Sequence, residues 1–422
     1  MAETEVEVFV QIAGEDVLAG RLWSHRRRGA ESATFSYAPE YIARSDAYEL
    51  DPALPLAMGV HHTPTSRPMF GAFSDCAPDR WGRRLIDRAE RGTAEQEGRA
   101  ERSFGEIDYL LGVRDDLRQG ALRFRDRRRS VYLADEKIGA PHLIDLPRLL
   151  SAADRLERDD ASDEDLRMLL RGGSSLGGAR PKAHVLDRSG RLAIAKFPNP
   201  ASDEWDVTRW EAVALALAKQ AGVSVPRSAL HTVDSRGVLI VDRFDRDVNG
   251  RIGYVSAMTM LEATDGEQGS YLDIASAIED AAVNVAEDLR QLWRRIAFSI
   301  LVSNTDDHLR NHGFLRTSTA GWSLSPAFDL NPNPRPGPKR LSTTIDYHAD
   351  GASLETLMSV TEHFRLTDEE GHAIIREVAS AMCGWRTVAR KVGLDRVAIE
   401  RMSGAFEHPQ AELAREIAVA TA

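Results

Sequence analysis

Cysteine is scarce in this 422-residue chain, occurring only at Cys76 and Cys383, and two thiols build neither a disulfide framework nor a cysteine zinc site. Both are expected to be small buried apolar residues. Long apolar runs are missing too. The longest, Ile296 to Val302, falls far short of the roughly 20 residues of a membrane span, and the first residues are acidic where a secretory signal would be basic. A cytoplasmic protein without a membrane partner is the expectation. Positive charge is in deficit, with 54 Lys and Arg against 65 Asp and Glu and a net charge of -11, which argues against coating nucleic acid through the overall field. Two basic clusters stand out, Arg26-Arg27-Arg28 and Arg123 to Arg129. They read first as solvated loops, with a patch docking beside partner-borne DNA as the sharper alternative.

What remains is an ordinary globular composition, 42% hydrophobic and 28% charged, long enough for two or three domains. Val6, Val8, Val10 and Ile12 alternate with Glu5, Glu7, Phe9 and Gln11, predicting a half-buried strand; a second strand is expected around Ala33 to Tyr37. Pro78 to Asp87 reads as a helix, as does Phe104 to Leu111, followed by a turn and short strand at Gly120 to Phe124. Helices are expected over Leu146 to Arg158 and Asp163 to Leu170, the latter capped by Ser162 with Asp165 at the third position. The division suggested is residues 1–130, an N-terminal β-rich unit; 131–246, a small lobe; and 247–422, a helical large lobe.

Chemistry concentrates in four places. Gly172-Gly173-Ser174-Ser175-Leu176-Gly177-Gly178 is a glycine cluster whose backbone amides could approach an anion, although it matches neither standard phosphate-loop pattern. Lys196 ends a strand in phase with Leu192 and Ile194, where a charge needs a partner. Glu211, on a helix predicted over Thr208 to Ala221, is the carboxylate that would hold it. Asp242 to Arg246 carries a buried-looking strand into charged residues, as a hinge across a cleft would.

The fourth is Ser303 to Phe314, placed after an apolar helix with its stripe at Leu289, Leu292, Trp293, Ile296, Ala297, Ile300 and Leu301. Asp306 and Asn311 lie five apart, the spacing of base and metal-binding amide in a protein-kinase catalytic loop. A second carboxylate, Asp329, comes within reach if Gly313 to Thr317 and Trp322 to Leu324 pair as a hairpin. Phosphoryl transfer needs a lysine for phosphate oxygens, hard oxygen ligands for Mg²⁺ and a carboxylate to orient the hydroxyl. Lys196, Asn311 with Asp329, and Asp306 supply these in order. His308 and Arg310 would fix the loop or neutralise charge, which places His308 in the nucleotide-binding set.

With these residues in view, the chain resembles the HipA family, the serine/threonine kinase toxins of bacterial toxin–antitoxin modules. The resemblance rests on Ser175 to Lys182, Ile194 to Pro198, Asp242 to Arg246, Asn304 to His312 and Leu324 to Asp329, joined by Pro78 to Arg84 and Gly120 to Phe124 near the N-terminus. It implies an α+β, bilobed protein-kinase-like fold with a β-rich N-terminal subdomain and a mainly helical C-terminal lobe. It further implies ATP between the lobes, with Ser175, Leu176, Gly177, Gly178 and Lys196 at its phosphates and Asp242 and Phe244 offering backbone contacts to adenine. Asp306 matches the catalytic aspartate, Asn311 and Asp329 the Mg²⁺ ligands. Ser175 matches the autophosphorylated serine, with Ser174 adjacent. The implied partners are a helix-turn-helix antitoxin (HipB-like), operator DNA through it, and a protein substrate, aminoacyl-tRNA synthetases being one target class. Asn331-Pro332-Asn333-Pro334 departs from the glycine that follows this aspartate in eukaryotic kinases.

Two other readings compete. His308 and His312 are i, i+4 beside Asp306, Asp307 and Asp329, as in a metal-dependent hydrolase, although Leu309 stands where the zinc-protease helix has glutamate and Gly313 argues against a continuous helix. A catalytically silent partner-binding module would keep the fold without the chemistry.

Overall fold

A computed structural model describes residues 3–27, 29–127, 131–134, 139–173, 178 and 180–419. Arg28, Arg128, Arg129, Ser174, Ser175, Leu176 and Gly177, all singled out above, lie outside the described residues.

The first sheet is antiparallel, in the order His61–His62, Ala30–Tyr37, Glu15–Arg27, Glu3–Ile12, Leu122–Arg125. Val6, Val8 and Val10 are buried as alternation requires. The register shifts between Val8 and Phe9, with Ala19 of the partner strand as the extra residue, and Phe9, on the face opposite the valines, is covered by Tyr132 and Arg125. The strand Glu15–Arg27 is not evident from alternation, and it runs through Gly20. That glycine is required, because a Cβ there would lie 2.2 Å from the Ser36 carbonyl oxygen.

Arg123 and Arg125 correct the solvated-loop expectation. They sit on the strand Leu122–Arg125, with Arg123 paired to Asp115 and Asp16 and Arg125 to Glu7. Arg26 donates to Ser103 and faces Glu31. Each of these cations has an acidic side chain within 4 Å in the protein. Cys76 is buried as expected, but Cys383 is exposed, because it follows the last turn of the helix Asp368–Met382 on its outer side.

The second sheet is also antiparallel, in the order Lys182–Leu186, Leu192–Lys196, Arg236–Asp242, Ser228–Val233. One face, carrying Ala183, Val185, Ala193 and Ala195, packs on the helices Leu146–Glu157 and Asp163–Arg171 together with Trp81 and Leu85. Those two helices form where expected: the Ser162 hydroxyl accepts from the Asp165 amide at 3.2 Å, and the Asp165 carboxylate accepts from the Ser162 amide at 2.9 Å. Trp81 and Leu85 belong to the helix Arg80–Glu97, whose cap is Asp79, so the N-terminal unit lends side chains to the small-lobe core.

In the large lobe the helix Val285–Leu301 buries every residue of the predicted stripe. Each buried Leu or Ile of the stripe contributes about 1.5–3 kcal/mol, which fixes the helix against the Asp368–Met382 helix and the three-stranded sheet Gly253–Ser256, Gly313–Ser318, Gly321–Leu324. The predicted Gly313–Leu324 hairpin is present. Ser303 then takes φ +53° and ends the helix. One apolar core runs from the first sheet through the large lobe. Among the described residues no helix is long and apolar enough to cross a membrane.

Candidate active site

Lys196 lies on an internal strand, hydrogen-bonded on one side to Lys182–Leu186 and on the other to Arg236–Asp242. An edge position on a solvated face is thereby excluded. Ala193 and Ala195 point into the core, so Leu192, Ile194 and Lys196 share the opposite, half-buried face. The Lys196 Nζ donates to Glu211 Oε1 at 2.5 Å and to Asp329 Oδ1 at 3.0 Å. Burial opposes the charge on Lys196, but the Asp329 and Glu211 carboxylates outweigh it and raise the amine above its ordinary value. Asp329 is likewise opposed by burial, yet Lys196 holds its carboxyl well below the usual range. For Glu211 burial prevails and the carboxyl is raised despite Lys196. The amine is thus held between two carboxylates, the nearer being Glu211 on the helix Val207–Gln220.

Asp329 is itself held in a sparsely populated conformation, φ +58°. Asn331 supports it: the amide Nδ2 donates to the Asp329 backbone oxygen and to Oδ1, both at 3.2 Å.

The loop after the Val285–Leu301 helix sorts its polar groups by side. Asp306 is exposed at the cleft, whereas Asp307 is buried. Asp307 Oδ2 accepts from Tyr271 at 2.6 Å and Ser299 at 3.3 Å, and Oδ1 lies 3.2 Å from His312 Nε2. Thr343 donates to the Asp307 carbonyl at 2.7 Å. Burial raises the Asp306 carboxyl; His308 pulls it down and the Asp329 and Asp307 charges push it up. A single tight turn, Leu309–Asn311, then brings Asn311 back so that its Nδ2 donates to the Asp306 carbonyl at 3.1 Å. This leaves the Asn311 amide oxygen directed away from that bond. His308 and His312 flank the turn in extended conformation, so the two histidines do not share a helix face and the zinc-helix geometry does not form. Among the described residues no cluster of three or more His, Cys, Asp or Glu could hold a metal.

For Mg²⁺ the donor chemistry is different, since that ion needs only one or two carboxylates with amide oxygens, water and phosphates completing its shell. Asp329, the Asn311 amide oxygen and the buried, unpartnered Asn331 Oδ1 are hard oxygen donors of this type. The residues present fit the ion.

At the hinge, the Asp242 amide donates to the Arg227 carbonyl at 2.8 Å and its carboxylate faces Arg191 and Arg227 at 3.9 and 3.8 Å. Phe244 is half-buried, its ring 5.6 Å from Phe328, the neighbour of Asp329. Asp245 is the buried anchor: it pairs with Arg243 at 2.5 Å and Arg246 at 2.8 Å and accepts the Gly120 amide at 2.7 Å. The segment Asp242 to Arg246 is thus bolted to the turn that precedes the strand Leu122–Arg125.

The structure brings together Lys196, Glu211 and Asp329, and sets Asp306 and Asn311 on one loop; Gly178 is placed with its α-carbon close to Lys182 Nζ, which a Cβ would meet at 2.9 Å. Sequence reasoning missed the clamp on this loop. Asn331 N–H donates to Asn304 Oδ1 at 3.1 Å, Asn333 Nδ2 to Thr305 Oγ1 at 2.8 Å, and Ser342 N–H to the Thr305 carbonyl at 3.0 Å. The alternating asparagines and prolines of Asn331 to Pro334 were the available signal.

Comparison with known proteins follows the same division. Residues 174–385 match the HipA-like C-terminal domain and residues 10–102 the HipA N-terminal domain. A Haemophilus influenzae protein provisionally named a kinase is 24% identical over 179 residues, 37% of this chain and 52% of that one. The similarly named Y4dM of Sinorhizobium fredii is 28% identical over 148 residues, 31% and 35% of the two chains. The chain thus spans about half the length of the first and about a third of the second. Among solved structures, HipA from the Shewanella oneidensis MR-1 complex of HipA, HipB and operator DNA superposes with TM-score 0.65 at 15% identity, over 98% of this chain and 99% of that one. The Helicobacter pylori proinflammatory kinase CtkA gives 0.46 at 15% identity over 58% and 95%. The bilobed kinase-like architecture follows from the near-complete superposition, and with one domain match spanning half of its residues and a second preceding it, the chain belongs to the HipA family.

Proposed function

We propose that this protein is an ATP- and Mg²⁺-dependent serine/threonine protein kinase that phosphorylates a protein target and autophosphorylates at Ser175 or Ser174. The observation that carries the reading is the single contact chain Glu211–Lys196–Asp329, which ties the small-lobe sheet to the loop beyond Asp306. A lysine on an internal strand, held by one helix carboxylate and one loop carboxylate, is the arrangement that positions nucleotide phosphates.

In this reading Lys196 turns from Asp329 toward phosphate oxygens while Glu211 keeps its amine in place. Asn311 and Asp329, the latter steadied by Asn331, would hold Mg²⁺, which would neutralise charge on the phosphates. Asp306, exposed at the cleft and raised from its ordinary value by burial, accepts the hydroxyl proton of the acceptor serine or threonine. Phe244 and Phe328 wall the apolar end where an adenine would lie. The three-part division at residues 130 and 246 belongs to the same reading, as do a cytoplasmic setting, a helix-turn-helix antitoxin with operator DNA beyond it, and a target such as an aminoacyl-tRNA synthetase. Support for the antitoxin comes from the HipB and operator DNA that accompany the Shewanella protein.

The test is thermal unfolding with ATP plus Mg²⁺ against ATP plus chelator, followed by phosphopeptide mass spectrometry after incubation with ATP. A larger shift with Mg²⁺ is expected, because a ligand that binds only the folded state stabilises it, together with phosphate on Ser175 or Ser174. Equal shifts in the two conditions, with no phosphopeptide, would overturn the reading.

A further inference from the structure

His184 is one of the most buried polar residues of the protein, 1% exposed, and it takes part in none of the chemistry described so far. It lies on the strand Lys182–Leu186, between the Gly172 carbonyl and the Arg243 guanidinium. Its Nδ1 is 2.9 Å from the Gly172 carbonyl oxygen, which also accepts the His184 amide at 2.7 Å. Its Nε2 is 2.6 Å from Nη1 of Arg243. Gly172 and Gly173 lead into the glycine cluster, and Arg243 lies in the hinge.

The tautomer follows from the partners alone. A guanidinium only donates and a carbonyl only accepts, so Nε2 must be the acceptor for Arg243 and Nδ1 must carry the proton donated to Gly172. An imidazolium would put a second N–H against the guanidinium. In agreement, burial first and then Arg243 hold the imidazole well below its ordinary value. Arg243 is committed on every side: Nη1 also donates to Leu117 O at 3.0 Å, Nη2 to Arg118 O at 3.3 Å, and Nε and Nη2 to Asp245 at 2.6 and 2.5 Å. Gly173 closes the same joint. It takes φ +67°, and a Cβ there would meet Leu117 Cδ1 at 2.6 Å and His184 Nδ1 at 3.2 Å.

We propose that His184 is a positioning residue for the nucleotide, a neutral Nδ1–H ring that fixes the distance between the root of the glycine cluster at Gly172 and the hinge at Arg243. The root that leads toward the phosphate segment and the segment proposed to meet the adenine are thereby tied by one buried ring, and the N-terminal unit shares in that tie through Leu117, Arg118 and Gly120. The inference rests on the nucleotide-binding reading. It goes beyond it in assigning control of nucleotide affinity to a residue that touches neither nucleotide nor metal.

The experiment compares full-length wild type with His184→Leu, His184→Asn and His184→Gln in Mg·ATP titrations of phosphate transfer. His184→Leu removes both bonds and is expected to raise the KM for ATP about tenfold, the scale of one unpaired buried polar group, while kcat stays within about twofold. His184→Asn keeps an N–H at the Nδ1 position but loses Arg243, and His184→Gln reaches toward Arg243 but loses Gly172; each holds one end only, so neither should restore the wild-type KM. A purely structural role would lower the melting temperature and leave the KM of the folded fraction unchanged, and that outcome overturns the proposal. Because a leucine here could impair folding, ¹⁵N-resolved NMR of the wild-type imidazole gives an independent test. An Nδ1–H ring from pH 6 to 8 is expected; an Nε2–H ring or an imidazolium overturns the proposal. A wild-type protein that binds no Mg·ATP overturns the underlying reading and this inference with it, whereas wild-type binding with unchanged KM in all three variants overturns this inference alone.

Discussion

Lys196 and Asp329 are 133 residues apart in sequence, yet the amine and the carboxylate meet at 3.0 Å. The contact joins the central strand of the small-lobe sheet to a large-lobe loop whose aspartate is held at φ +58°. Both charges are set by each other after burial has opposed them. Replacing Lys196 by methionine removes the cation that phosphates would share. Phosphate transfer is expected to fall by about 10²–10³, the cost of losing one preorganised electrostatic partner. The Mg·ATP thermal shift should shrink in parallel. A variant that keeps more than a tenth of wild-type kcat/KM would remove Lys196 from the phosphate site.

Asp306 supplies the pH dependence. The Asp329 carboxyl is lowered, so its contribution to stability is present above the unfolded value and lost only as pH falls below it. Lys196 is raised, so its contribution is complete below its unfolded value and lost only as pH rises through the higher folded one. Across neutral pH both remain charged. Asp306 is the raised carboxyl of the set, and proton acceptance requires its ionised form. The kcat/KM profile should therefore fall on the acid side along a limb displaced upward from about 3.9, the ordinary aspartate value. Asp306→Asn should reduce transfer by roughly 10²–10⁴ with no fall in melting temperature at pH 7, since burial already disfavours the charge that the substitution removes. A variant that retains transfer, or an acid limb that persists in it, would assign the proton to another group.

The elements that sequence made legible are those with a local cause. The stripe from Leu289 to Leu301 needs only the helical period, the Ser162 cap only its own turn, and the order of Lys196, Glu211, Asp306 and Asp329 is linear in the chain. What sequence concealed depends on contacts between distant segments. The strand Glu15–Arg27 has no clean alternation, because Gly20 is fitted to Ser36 across the sheet. The arginines at 123 and 125 look solvated until Asp115, Asp16 and Glu7 come to meet them. The role of Asp245 is invisible for the same reason: its partners include an amide 125 residues away at Gly120.

That anchor yields a stability prediction. Asp245 is opposed by burial, but Arg243 and then Arg246 hold its carboxyl below the ordinary range. Asp245→Asn keeps the shape while leaving two buried guanidiniums short of their counter-charge, which costs about 3–5 kcal/mol. The urea midpoint should drop at pH 7. Because the carboxyl is lowered, its contribution is present above the unfolded value and lost as pH falls, so the gap between variant and wild type should narrow in acid. A gap that widens in acid would mean that Asp245 is not held ionised by its arginines.

The asparagine clamp separates stability from geometry. Asn304 Oδ1 accepts the Asn331 amide at 3.1 Å, so one side chain fixes the segment after Asp329 against the loop that carries Asp306. Asn304→Ala leaves that amide unpaired and should cost about 1–3 kcal/mol of stability. Its effect on transfer should be larger than unfolding accounts for, because a shift of about 1 Å between Asp306 and Asp329 can cost about 10²-fold. The check is kcat/KM measured at a temperature where the variant is fully folded by circular dichroism. A loss near 10²-fold under those conditions assigns the clamp to alignment of the two carboxylates. Activity equal to wild type in the folded variant would reduce Asn304 to a stabilising residue, and the spacing between the two loops would then have to be set by Asn333 and Ser342 on Thr305 instead.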